Sequence, residues 1–323
     1  MINGADDPRG ASSRDWAGAL RRLDKEPVRN CILCGSRTSE HDARWQAYLA
    51  LPAEYGVARC RSCDLRWLDP RPSAAGYRVL YSDENYFGGA GASPVEYQHV
   101  MVSRRDYFER RLRGIERSRG ITSGLSILDY GAAAGDFVAL ARARGHHCDG
   151  IELSADARGQ SESLHGVRLM SAEEGDALPD ASYDVLHMNH VLEHMADPLA
   201  HLRWCSRVLK LGGLLVAEVP QQFENDLDRL RRLFHLGGKQ RQFDAYSLHH
   251  TYFFTPASLP ALAVRAGFSV FHLRTFNADK TPLWPPVLRN WVLRFGLSLA
   301  DRLHSGGNIL ELHAVNGRAV AEA

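Results

Sequence analysis

Four cysteines in two close pairs, Cys31-Ile-Leu-Cys34 and Cys60-Arg-Ser-Cys63, carry the plainest chemical pattern in this chain of 323 residues. Each pair presents two thiolates from one tight turn. Two such turns, 25 residues apart, supply four soft ligands for a tetrahedral Zn²⁺ ion. A closed four-thiolate shell leaves no position for a substrate, so the implied zinc is structural. The competing reading is two pairs of redox thiols, but neither pair follows a thioredoxin-like βαβ pattern. Cys148 and Cys205 have no neighbouring cysteine in sequence and read as small buried residues.

The second chemical feature is Ile127-Leu-Asp129-Tyr-Gly131-Ala-Ala133-Ala-Gly135-Asp136-Phe137, an apolar strand that runs into a small-residue turn and then a helix. A dinucleotide fingerprint needs glycine at 131, 133 and 136, and here Gly131 is followed by Ala133 and Asp136. Asp136 would set a carboxylate where a pyrophosphate rests on the helix N-terminus. A phosphate-free adenosine ligand fits better. Glu152, 21 residues beyond Gly131, closes the next apolar run, where a carboxylate can accept hydrogen bonds from both ribose hydroxyls.

The elements that must position these residues follow from the alternation of apolar runs with helical patterns after Leu125, the signature of an α/β fold with a parallel sheet. The runs predict seven strands: Ser126–Tyr130, His147–Glu152, Val167–Met170, Tyr183–Asn189, Gly213–Val219, Phe268–Leu273 and Ile309–Val315. We divide the chain into a flexible N-terminus (1–28), a zinc ribbon (29–72), a helical linker or lid (73–120), an α/β domain (121–316) and a tail (317–323). Two long inserts, 221–247 and 274–307, interrupt the domain. Composition fits a globular protein, with 45% hydrophobic and 24% charged residues and a net charge of +1. That balance disfavours nucleic acid as a partner, because phosphate contacts demand a basic excess. No apolar stretch is long enough to span a bilayer, and the N-terminus lacks a signal-peptide pattern, so a cytoplasmic location is expected.

The strand ending in Asp129-Tyr-Gly131-Ala-Ala133-Ala-Gly135, with Glu152 after it, resembles the motif of class I S-adenosylmethionine-dependent methyltransferases. The resemblance extends through Leu178–Pro198 and Val208–Pro220, and through His250–Thr255 with the following Leu259–Phe268, which looks like the helix entering the sixth strand. Ala133 in place of the middle glycine is the departure. The resemblance implies a seven-stranded Rossmann-like sheet with helices on both faces. It implies that Gly131, Ala133 and Gly135 approach the methionine part of S-adenosylmethionine, that Asp129 orients the loop, and that Glu152 holds the ribose. It places Ala172 and Glu173 beside the adenine, and Asn189 and His190 at the sulfonium pocket.

The cysteine pairs, Asp69-Pro-Arg-Pro72, and Tyr81 with Tyr86-Phe87 are together similar to zinc-ribbon methyltransferases of sugar and small-molecule pathways. This resemblance makes Tyr81, Tyr86 and His249 candidates for the substrate pocket. It implies a small-molecule acceptor such as a sugar, a glycolipid precursor or a secondary metabolite. The sugar C-methyltransferases of that group carry Tyr-His-Glu-His where this chain has Ser247-Leu248-His249-His250, which puts C-methylation in doubt. Histidine suits proton removal from an acceptor because its pKa lies near neutrality. His250, His190 and His194 are the candidates, in that order. An RNA base methyltransferase and a non-catalytic S-adenosylmethionine-binding scaffold are the alternatives. The seven arginines between Arg104 and Arg119 read as a solvated helix face, and the apolar and aromatic pattern in 283–303 as a packing, dimer or peripheral membrane contact.

Overall fold

The structure, a computed structural model, describes residues 21–80, 94–222, 246–276 and 306–317. Tyr81, Tyr86, most of the first insert and the 283–303 segment lie outside the described residues. Five short strands build the N-terminal unit: β1 (Lys25–Glu26), β2 (Ser39–His41), β3 (Gly56–Cys60), β4 (Arg66–Asp69) and β5 (Arg71–Pro72). β1 pairs antiparallel with β5, which ties part of the expected flexible N-terminus onto the ribbon. Leu23 is buried there as well. Between β2 and β3 the helix Ala43–Tyr48 starts on Asp42, whose side chain accepts from the Arg44 amide, and it buries Trp45.

The main sheet contains β6 (Ser126–Tyr130), β7 (His147–Ile151), β8 (Tyr183–Asn189) and β9 (Leu209–Pro220). After β10 (Tyr252–Phe253) the chain adds β11 (Phe268–Phe276) and β12 (Ile309–Asn316). The order is β11-β12-β9-β8-β6-β7, with β7, β6, β8 and β9 parallel and β12 antiparallel between β9 and β11. Among the described residues this sheet has six strands, not seven. The expected third strand, Val167–Met170, is reduced to one parallel bridge between Ile151 and Met170. Its reason is local: directly after Met170 the chain enters a capping box, in which Ser171 and Glu174 satisfy each other's backbone N–H groups at the start of the Ala172–Asp176 helix.

Helices cover the sheet because their apolar residues recur at helical spacing. Asp136–Ala143 buries Phe137, Val138 and Ala141. The long helix Pro94–Arg119 places Phe108 edge-on to Phe137, with ring centroids 6.0 Å apart, and buries Leu112 and Ile115. Its arginines are not all solvated. Arg111 is buried between Glu218 on β9 and Glu311 on β12, 2.6 Å from the latter, because two carboxylates inside the sheet require a cation.

The segment His250–Thr255 also departs from expectation. The helix Ser258–Arg265 does lead into β11, but Tyr252–Phe253 ahead of it forms β10, an antiparallel partner of ribbon strand β4. The ribbon sheet therefore has the order β10-β4-β3-β2 and includes a strand from the C-terminal half of the chain. Phe253 packs on Trp45 with centroids 4.4 Å apart, and Arg265 donates to the Leu33 carbonyl. Arg71 donates to Glu26 and to the carbonyl of Ala196. Cys31, Leu33 and Trp67 share one buried cluster with Tyr252, Leu259 and Leu262.

Candidate active site

The glycine loop sits at the carboxyl end of β6. Its entry is held by the amides of Gly131 and Ala132, which both donate to the Ile151 carbonyl at 2.9 and 3.0 Å. Gly131 and Gly135 adopt left-handed conformations, φ +78° and +80°. A Cβ at Gly131 would stand 2.4 Å from the Val191 methyl, and one at Gly135 2.1 Å from Ser161 Oγ. Both positions therefore require glycine. Ala133 also takes a left-handed φ, +48°, the conformation that the middle glycine of the motif would supply without strain.

Glu152 lies just beyond β7 and folds back on this loop. Its Oε2 accepts from the Ala133 amide at 2.8 Å, and its Oε1 from the Ser154 amide at 3.0 Å. Burial pushes its carboxyl pKa up, and the Ser154 and Ala133 amides only partly offset this. Each carboxylate oxygen has a second lone pair, so the group can still accept from a vicinal diol. A loop with close backbone approach, Asp136 where a phosphate-binding loop would have glycine, and a carboxylate fixed beside it fits S-adenosylmethionine.

Asp129 stands two residues before Gly131. It is buried on β6 and hydrogen-bonds His187 Nδ1 on β8 at 2.7 Å, and that imidazole stacks on Phe137 with centroids 4.2 Å apart. The parallel register that sets Asp129 opposite His187 brings them together. His187 is absent from the sequence-based candidates, and only knowledge of strand pairing would have found it. Asn189 ends β8 and accepts from the Tyr107 hydroxyl at 3.4 Å. Ala172 is half-buried, whereas Glu173 is exposed, with its pKa lowered by the Ser171 hydroxyl that donates to it at 2.7 Å.

Past β8 the chain turns sharply. His190 has φ +56°, its amide donates to the Glu218 carbonyl at 2.9 Å, and a one-turn helix follows at Leu192–His194. The turn gathers a histidine cluster around the buried Glu193, which the sequence reading passed over although it stands in His190-Val-Leu-Glu193-His194. His190 Nδ1 bonds Glu193 Oε1 at 3.2 Å, and His194 Nε2 is 3.7 Å from the same oxygen. His250, on the approach to β10, meets the His194 ring at 4.8 Å between centroids, and His249 meets it at 6.3 Å. Of the three base candidates, the side chain of His190 is the most open at 38% exposure, against 16% for His194. His250 is 5% exposed. Burial, reinforced by the neighbouring His194, drives the His250 pKa down to about 3 and that of His249 to about 4. Burial would raise the Glu193 carboxyl, but the His190 hydrogen bond and the charges of His194 and His250 hold it below its ordinary range.

The sequence profile described as a methyltransferase domain matches residues 101–273, more than half of the chain. The chain belongs to this methyltransferase family. Its sheet order, glycine loop and carboxylate after β7 give it the class I S-adenosylmethionine-dependent architecture. A ubiquinone biosynthesis O-methyltransferase of Leptothrix cholodnii is 32% identical to it over 112 residues, covering 32% of this chain and 47% of the relative. One from Aeromonas salmonicida is 29% identical over 168 residues, 50% of this chain and 69% of that protein. The chain spans about half the length of the first relatives it matches. A solved S-adenosylmethionine-dependent methyltransferase from Thermotoga maritima, described as a possible histamine N-methyltransferase, aligns with a TM-score of 0.46 at 18% identity. The alignment covers 68% of this chain and 95% of that one.

In this methyltransferase the cysteines of the N-terminal unit converge. Sγ of Cys31 and Cys63 are 3.5 Å apart, as are those of Cys34 and Cys60, and all four lie within 4.8 Å of one another. Zn–S bonds of about 2.3 Å in a tetrahedron give sulfur separations of about 3.8 Å, which this arrangement approaches. Backbone hydrogen bonds shape both turns: Gly35 donates to Cys31, and Asp64 to Cys60. Among the described residues, no helix is long and apolar enough to cross a membrane.

Proposed function

We propose that this methyltransferase transfers the methyl group of S-adenosylmethionine to a hydroxyl of a small molecule, a sugar, glycolipid precursor or secondary metabolite. The observation that carries the reading is the meeting of the glycine loop and Glu152 with the Asn189–His194 turn at the carboxyl ends of β6, β7 and β8, where open α/β sheets bind ligands. The O-methyltransferase activity named for the curated relatives supports a hydroxyl acceptor.

S-adenosylmethionine supplies a methyl group already activated on a sulfonium. The protein must bind, align, exclude water and hold one proton. Gly131, Ala133 and Gly135 let the backbone approach the methionine part, and Glu152 accepts from the ribose hydroxyls. Ala172 and Glu173 border the adenine, and Asn189 borders the reacting end. His190, its side chain partly exposed and fixed through Nδ1 by Glu193, takes the acceptor proton on Nε2. This ranks His190 above His250 and His194, which are more deeply enclosed. His249, Tyr81 and Tyr86 remain assigned to the acceptor pocket. The four cysteines hold a structural Zn²⁺ whose role is to fix the ribbon against β10.

The test is incubation with methyl-labelled S-adenosylmethionine and a panel of catechols, phenols, nucleotide sugars and glycolipids. Label in a hydroxyl of one class supports the reading. Label in RNA, or in none of the small molecules, overturns it.

A further inference from the structure

We infer that Glu193, His194 and His250 form a second metal site, for a divalent ion of the kind that binds imidazole and carboxylate, distinct from the cysteine cluster. Their potential ligand atoms lie within 4.8 Å of one another. Two imidazoles and one carboxylate are a common donor set for Zn²⁺ and for other divalent first-row ions, and three protein ligands leave coordination positions open.

Three features of the cluster point to an ion rather than to a packed polar core. First, Glu193 is 1% exposed and its Oε2 is buried with no hydrogen-bond partner. His190 engages only Oε1. A desolvated carboxylate oxygen without a partner is costly, and buried charges are paired or bind metals. Second, both histidines are oriented from behind. The Nδ1 of His194 donates to the His249 carbonyl at 3.0 Å, and the Nδ1 of His250 donates to Gln222 Oε1 at 3.0 Å. Metal-binding imidazoles are held by this kind of outer hydrogen bond, which fixes the ring and the tautomer. Third, the ligands come from a rigid frame. The turn Leu192–His194 follows β8 directly, and the Thr251 amide beside His250 donates to the Glu193 carbonyl at 2.8 Å.

The site lies three residues beyond His190, at the end of the sheet where the acceptor is placed. An ion there would fix the turn that carries His190, and that consequence rests on the methyl-transfer reading. The ion site itself does not.

The experiment is a Mn²⁺ titration of the full-length, zinc-loaded protein followed by the electron paramagnetic resonance of free Mn²⁺. Mn²⁺ favours oxygen and nitrogen donors over thiolates, so the ribbon stays silent. We expect one Mn²⁺ bound per chain, with affinity at least ~10-fold lower in Glu193→Gln and in His250→Gln, each checked for wild-type circular dichroism. Two variants from different elements keep the test alive if one fails to fold. Binding of neither Mn²⁺ nor a second equivalent of Zn²⁺ by the wild type overturns the site, as does binding that both variants leave unchanged. S-adenosylmethionine binding on the same samples separates the two ideas. A protein that binds it but no second metal overturns the metal site alone. A protein that binds the metal but no S-adenosylmethionine overturns the methyl-transfer reading alone.

Discussion

The backbone amide of Thr251 donates to the carbonyl of Glu193 across 2.8 Å, while the Thr251 carbonyl accepts from the Leu68 amide of the ribbon at the same distance. One residue thus links the four-cysteine unit to the glutamate at the centre of the histidine cluster. The ribbon is in this sense part of the frame of the site. A metal held by the four cysteines would therefore support both. We predict close to one zinc per chain bound by the cysteines. Stripping it, or Cys60→Ser, should lower the melting temperature by roughly 10 °C, because metal-binding energy is folding energy. Metal analysis beside a calorimetric scan checks this, and a folded protein that melts unchanged without zinc would count against the four-cysteine site.

Glu152 should matter to the ligand more than to the fold. Glu152→Ala should weaken S-adenosylmethionine binding by ~1.5–3 kcal/mol, the worth of charge-assisted hydrogen bonds. Calorimetric titration reads the loss directly. An affinity equal to wild type would remove Glu152 from the ribose.

The first and middle positions of the loop should respond differently to a single methyl group. Gly131→Ala sets a Cβ against Val191 in a left-handed conformation and should destabilise by ~2–4 kcal/mol. Ala133→Gly relieves a left-handed alanine but frees the unfolded chain, so stability should change by less than ~1 kcal/mol. Denaturant unfolding of the two variants tests the pair, and a reversed order would show that the loop is not shaped as described.

Asp42 gives a pH signature for the ribbon. Burial would raise its carboxyl, but hydrogen bonds and charge from Arg44 and the buried Arg66 outweigh this and hold it below the ordinary range. A carboxyl depressed in the folded state contributes stability above its unfolded pKa and loses it as pH falls through the folded pKa. Asp42→Asn should therefore cost ~1–3 kcal/mol at neutral pH, and the difference from wild type should shrink below the ordinary carboxylate range. Melting curves from pH 7 downward measure it. A gap that does not narrow in acid would contradict the assignment.

His190→Gln should slow methyl transfer by ~10²–10⁴-fold, the span typical of a lost general base, and leave S-adenosylmethionine affinity near wild type. A parallel loss of affinity would indicate that His190 serves binding instead.

Much of this arrangement was legible in the residues. The glycine loop and Glu152 could be placed because their motif is local, and the cysteine pairs because each turn is four residues long. The missing third strand was not, because a short apolar run says nothing of how soon the next helix claims the chain, and Ser171 caps one at once. Asp129 with His187, and Glu193 with His250, depend on register and on long-range closure. β10 was hidden for the same reason: Tyr252-Phe253 is a sequence fragment of one unit that completes the sheet of another. Arg111 looked like one more surface arginine until Glu218 and Glu311 closed around it.

The central claim is that the loop at Gly131–Gly135 and Glu152 form an S-adenosylmethionine site. The most direct measurement is calorimetric titration of the intact chain with S-adenosylmethionine, after mass spectrometry has shown that none copurified. The account predicts saturation at one per chain, with S-adenosylhomocysteine competing for the same site. A folded, ligand-free protein that binds neither would contradict it.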